Sequence, residues 1–155
     1  RDSEEFFEKG VAMTISEFLT SCNIDPETSS KLMEYLKKRY FWGGETPIHE
    51  EWRNSSAHAA KVFDNYSVVI IKKSWWDRGT GIGRSNFLVA MDESTGQIYH
   101  SPEVDYRDQY NEKKDRPWCD FHEIKSLVAK EGGRLHVEVA DWQGHTQTIS
   151  LKGGE

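Results

Sequence analysis

Tyr66-Ser67-Val68-Val69-Ile70-Ile71-Lys72-Lys73-Ser74-Trp75-Trp76 is the run whose reading decides the fold, together with Ser85-Asn86-Phe87-Leu88-Val89-Ala90-Met91-Asp92 beyond it. Between them lies Asp77-Arg78-Gly79-Thr80-Gly81-Ile82-Gly83-Arg84, and after them Glu93-Ser94-Thr95-Gly96 leads into Gln97-Ile98-Tyr99-His100. Three β-rich runs separated by two glycine-bearing breaks predict an antiparallel meander over 66–100. In the first run Val69, Ile71 and Trp75 fall on one face and Val68, Ile70 and Trp76 on the other, so both faces are apolar. Such a strand is covered on two sides, or covered once and paired into a groove. Phe87, Val89 and Met91 continue one face in the second run.

Upstream of the meander the periodicity is helical. Ser3-Glu4-Glu5 predicts a short helix to Lys9, stopped at Gly10. Thr14-Ile15-Ser16-Glu17 is a capping box, in which hydroxyl and carboxylate each accept an orphan N–H, and its helix ends near Asn23. Asp25-Pro26-Glu27 supplies a cap, a first-turn proline and a favourable negative charge. Leu32, Met33, Leu36 and Tyr40 follow at helical spacing, and Lys37, Lys38 and Arg39 complement the dipole before Gly43-Gly44. Residues 45–65 read as loop plus a helix from Ser55 or Ser56 through Val62.

Downstream, residues 102–118 are charged and poor in aliphatics, which predicts an exposed loop pinned by Tyr106, Tyr110 and Trp118. Asp120 and Glu123 then predict a helix over 120–131, with Phe121, Ile124, Leu127 and Val128 on one face before Gly132-Gly133. Leu135, Val137 and Val139 alternate with polar residues, and Asp141 to Gly144 turns the chain into a closing hairpin over 134–151. The whole is one α+β domain spanning 1–155, with N-terminal helices packed on a mainly antiparallel sheet.

Among 155 residues, 26 acids against 20 Lys and Arg give a net charge of −6. That balance disfavours nucleic acid and anionic membrane, where clustered cations are needed, and suits a basic partner. The longest apolar run, Val68 to Ile71, is far too short to span a bilayer. Cys22 and Cys119 are the only cysteines and lack ligand-like spacing, as expected of reduced thiols in a cytoplasmic protein. No secretory segment opens the chain, and its start at Arg1 is equally that of a domain cut from a longer protein.

Several constellations invite a chemical reading. Gly79 to Arg84 invites phosphate binding, but Rossmann and P-loop sites need a helix directly after the glycines, and Ser85 to Met91 is β-like. No kinase catalytic loop follows either. Cys119 and His122 have the separation of a thiol nucleophile and its base, without an identifiable third group. His100, Glu103, Asp105 and Asp108 offer hard donors to a divalent ion, yet acidic loop residues are more often simply solvated. His49-Glu50-Glu51 lacks the second histidine of a zinc-protease helix. No metal site and no cofactor is therefore expected.

Six tryptophans, Trp42, Trp52, Trp75, Trp76, Trp118 and Trp142, are many for this length. Trp75 and Trp76 flanked by Asp77 and Arg78, with Glu103, Asp105, Tyr106, Asp108 and Trp118 in the acidic loop, have the make-up of a protein-binding hot spot. The expected function is a non-enzymatic domain that binds a basic protein. In size, charge and lack of a catalytic set the chain is similar to the small acidic immunity proteins that neutralise bacterial toxins, although no family motif carries the likeness. The competing expectation is an enzyme or small-ligand binder with a cleft beside residues 77–84, using Arg78, Arg84, His100 and Cys119.

Overall fold

The computed structural model describes residues 14–39, 55–77, 81–102, 104–107 and 121–153. Two helices, α1 (Ile15–Ser21) and α2 (Pro26–Arg39), precede the strands β1 (Ser55–Phe63), β2 (Tyr66–Asp77), β3 (Gly81–Asp92) and β4 (Ile98–His100). Four more follow: β5 (Val104–Arg107), β6 (Glu123–Lys130), β7 (Arg134–Ala140) and β8 (Thr146–Gly153). The first helix expected, over residues 3–9, lies outside the described residues.

The caps form as the residue types dictate. Thr14 accepts the Glu17 N–H while the Glu17 carboxylate accepts the Thr14 N–H at 2.9 Å, and Asn23, at φ 70°, turns the chain out of α1. The Asp25 carboxylate takes the Thr28 N–H at 2.9 Å; hydrogen bonds from Thr28 hold its pKa below the usual carboxylate range.

All strand pairs are antiparallel, in the order β1-β2-β3-β4-β8-β7-β6, with β5 also pairing β3. The path curls into a nearly closed barrel whose two ends, β1 and β6, approach one another. β2 and β3 pair from Tyr66↔Asp92 to Asp77↔Gly81, and residues 68–71 and 88–91 are buried on both faces. Val69, Ile71, Val89 and Met91 join Ile15, Phe18, Leu19, Leu32 and Leu36 in a cluster shared with the helices. Val68, Ile70, Leu88 and Ala90 point the other way, into a second cluster with Phe121, Ile124, Leu135, Val137, Val139 and Leu151. At about 1.5–3 kcal/mol per fully buried large aliphatic, the two faces tie helices and barrel to one hairpin.

Two helices expected from the sequence are strands. Residues 120–131 contain β6 rather than a helix, and residues 55–62 belong to β1. The cause is the same in both. The register slips between Ile124 and Ser126, making Lys125 an extra residue, and between Ala57 and Ala59, making His58 one. A β-bulge puts residues three apart on one face, so Ile124 and Leu127 both face Val139 and Val137, while Ala57 and Ala60 both face Ile71 and Val69. That spacing imitates a helix. Gly132 and Gly133, at φ 79° and 70°, then make the tight reversal that β6 and β7 need between Lys130 and Arg134.

Candidate functional site

Toward one end of the barrel the described inward side chains turn polar. Along the inward face of β2, Val68 and Ile70 give way to Lys72; along that of β3, Ala90 and Leu88 give way to Asn86. Lys72 Nζ donates to Asn86 Oδ1 at 3.1 Å, and that oxygen also accepts the Phe121 N–H at 3.2 Å. Asn86 is wholly buried. The amide thus fastens the start of the C-terminal half to the central hairpin, since a buried amide oxygen needs such partners.

The seam between the barrel's ends lies beside this network. His58, the extra residue of the β1 bulge, reaches across to His122 just ahead of β6, with Nε2 and Nδ1 3.1 Å apart. The His122 N–H is held by the Ala140 carbonyl at 2.8 Å. Burial first, then the charges of Lys72 and His122, push the His58 pKa down from 6.5 to about 3. His58 is therefore a neutral imidazole near pH 7, and the two rings share one N–H across the seam.

Trp142 covers the pair. Its ring stacks on His122 with centroids 3.6 Å apart and planes at 22°, and meets His58 edge-on at 5.6 Å. It nevertheless stays 59% exposed. The turn that carries it is fixed by Asp141, whose carboxylate accepts the N–H groups of Gln143 and His145 at 2.9 and 2.8 Å. Slight burial would raise the Asp141 pKa; the hydrogen bonds from His145 and Gln143 outweigh it and lower it. Gly144, at φ 92°, completes the reversal. The result is a large aromatic surface presented to solvent in a held orientation.

Of the residues singled out from the sequence, Trp75, Trp76, Asp77, Asp105 and Tyr106 are described in backbone terms. Trp75, Trp76 and Asp77 close β2 opposite Gly83, Ile82 and Gly81. Asp105 pairs with Ser85 from the other side of β3, and Tyr106 sits where that register slips. In backbone terms the end of β2 and β5 flank one segment of β3. Arg78, Glu103, Asp108 and Trp118 lie outside the described residues, as do Cys119 and the loop residues 78–80. His122, expected as a possible base for Cys119, is engaged instead by His58 and Trp142. His100 lies elsewhere, in an open groove on the outer face of the sheet. Among the described residues, no three metal-ligating side chains converge, and no helix is long and apolar enough to cross a membrane.

His58 and Trp142 were not singled out as a pair by the sequence. The one local sign was a histidine amid small residues, Ala57-His58-Ala59-Ala60, which a bulge explains only once the pairing is known. No protein-family model matches the chain, and neither curated proteins nor solved structures give a significant match.

Proposed function

We propose that this chain is a non-enzymatic binding domain that docks a protein partner at the polar end of the barrel, with Trp142 as the anchor. The observation that carries this reading is a tryptophan 59% exposed yet already stacked at 3.6 Å on His122. An exposed ring that is pre-ordered loses little freedom on binding, and interface hot spots are enriched in tryptophan for that reason. Asp141 beside Trp142, and the exposed Glu123 beside His122, bring carboxylates to its rim. Trp75, Trp76, Asp77, Arg78, Glu103, Asp105, Tyr106, Asp108 and Trp118 extend the same surface in this proposal. With a net charge of −6 the natural partner is a basic protein, steered by charge and retained by aromatic contacts. An inhibitor of the immunity type, neutralising a basic toxin, is the particular role that fits this chemistry.

The test is site-specific photo-crosslinking in an extract of the native source, with the reactive residue placed at Gln143 beside the anchor or at Glu34 on the exposed side of α2. A single protein should crosslink at position 143 and not at 34, and Trp142→Ala should abolish the product. Equal products from both positions, surviving Trp142→Ala, would remove the docking surface.

A further inference from the structure

Away from the seam, the outer face of the sheet carries a row of basic side chains. Arg134 opens β7 and stands directly opposite Lys152 of β8; Lys152 in turn stands opposite His100 of β4. Cross-strand partners share a face, so the three side chains lie abreast across three strands. Arg39, the last residue of α2, joins them in lining a groove of about 500 Å³, with Phe87, Pro102 and Ser150 among its walls. Arg134 Nη1 donates to Ser150 Oγ at 3.3 Å, between two residues of the groove's lining.

This arrangement is costly without a ligand. Like charges directly opposite in an antiparallel pair destabilise it, and neither Arg134 nor Lys152 is ion-paired among the described residues. Arg39 is likewise unpaired there. In a chain with 26 acidic and 20 basic residues, a carboxylate near three such cations is the ordinary outcome. Among the described residues, no carboxylate is paired with any of them.

We propose that this groove is a binding site for a small phosphorylated organic molecule. Two guanidiniums offer planar forks that match phosphate oxygens, Lys152 adds a point charge, and Ser150 can turn its own hydroxyl hydrogen to the ligand. Phe87 and Pro102 form the apolar wall against which a carbon body packs. The volume is that of a small-molecule site rather than of a polymer track. The site lies on a different face from the Trp142 surface and stands or falls independently of it.

The experiment is a titration of the full chain with inorganic phosphate and with phenyl phosphate, followed by amide chemical shifts, with sodium chloride at matched ionic strength as the control. Both phosphates should give saturable shifts at His100, Arg134 and Ser150 to Lys152, and phenyl phosphate should bind at least several-fold more tightly. Arg134→Gln with Lys152→Gln should weaken both at least tenfold while raising the thermal midpoint of the unliganded protein. Shifts no larger than those of chloride, or unchanged in the double variant, would overturn the site. Phenyl phosphate binding no tighter than inorganic phosphate would overturn the assignment to an organic phosphate. A thermal midpoint lowered by the double variant would show the cations to be structural and overturn it as well.

Discussion

Burial beside Lys72 and His122 depresses the His58 pKa to about 3, so folding holds this imidazole neutral over a range in which a free one takes up a proton. Between the unfolded value of 6.5 and about 3 the unfolded chain binds the proton and the folded chain does not. Stability from this group is therefore present above pH 6.5 and lost as pH falls below it, by up to about 1.4 kcal/mol per unit. Urea midpoints should fall from pH 7 to pH 5 in the wild type and fall less steeply in His58→Gln, which keeps a hydrogen-bonding side chain toward His122. Equal slopes would place His58 in a more solvated site. Asp92 is pinned in the opposite sense at the far end of the hairpin. Burial would raise its pKa, but donors from Ser94 at 2.7 and 2.9 Å and Asn65 at 2.6 Å lower it, so its contribution fades only in stronger acid.

At the scale of elements, what the sequence showed and what it hid have a common physical explanation. The capping box at Thr14, the helix of Pro26–Arg39 and the paired runs of β2 and β3 are uninterrupted, so their periods survive to be read directly. β1 and β6 each carry a bulge, and one extra residue turns a period of two into a spacing of three. Ile124, Leu127 and Val128 then look like a helical stripe, although Val128 is 49% exposed on the outer face. Deleting Lys125 would leave Ile124 and Leu127 two positions apart, both still facing the barrel interior in a regular strand, and should cost no more than about 1 kcal/mol. Deleting His136 from the unbulged β7 would instead turn Leu135 to the outer face, at a cost of at least about 2 kcal/mol from lost burial. Urea unfolding of the two variants measures the difference, and equal losses would contradict the bulge.

For the molecule as a whole, the two-faced hairpin of β2 and β3 is what lets one sheet carry separate surfaces. One face of β2–β3 supports the helices, the other fills the barrel, and the polar end of that barrel frames the His58–His122–Trp142 seam. Net charge spoke only for the average surface. It gave no sign that Arg134, Lys152 and His100 line up on one face, because their pairing across β7, β8 and β4 joins positions far apart in the chain. For the same reason His58 and His122, 64 residues apart, are legible only once the sheet curls. The tryptophan-rich end of β2 was readable from composition; the exposed Trp142 pre-stacked on His122 was not.

The most direct test of the docking surface is the dissociation rate of the partner captured at position 143, measured for folded wild type, Trp142→Ala and His122→Ala. Loss of a tryptophan hot spot worth about 2 kcal/mol or more should speed dissociation at least roughly 30-fold. His122→Ala, which leaves the ring in place but unsupported, should produce a smaller acceleration, in keeping with the roughly 0.5–1.5 kcal/mol of an aromatic stack. Charge reversal at Glu103, Asp105 and Asp108 should instead slow association. A Trp142→Ala protein that folds normally and releases the partner at the wild-type rate would contradict the docking role of this end of the barrel.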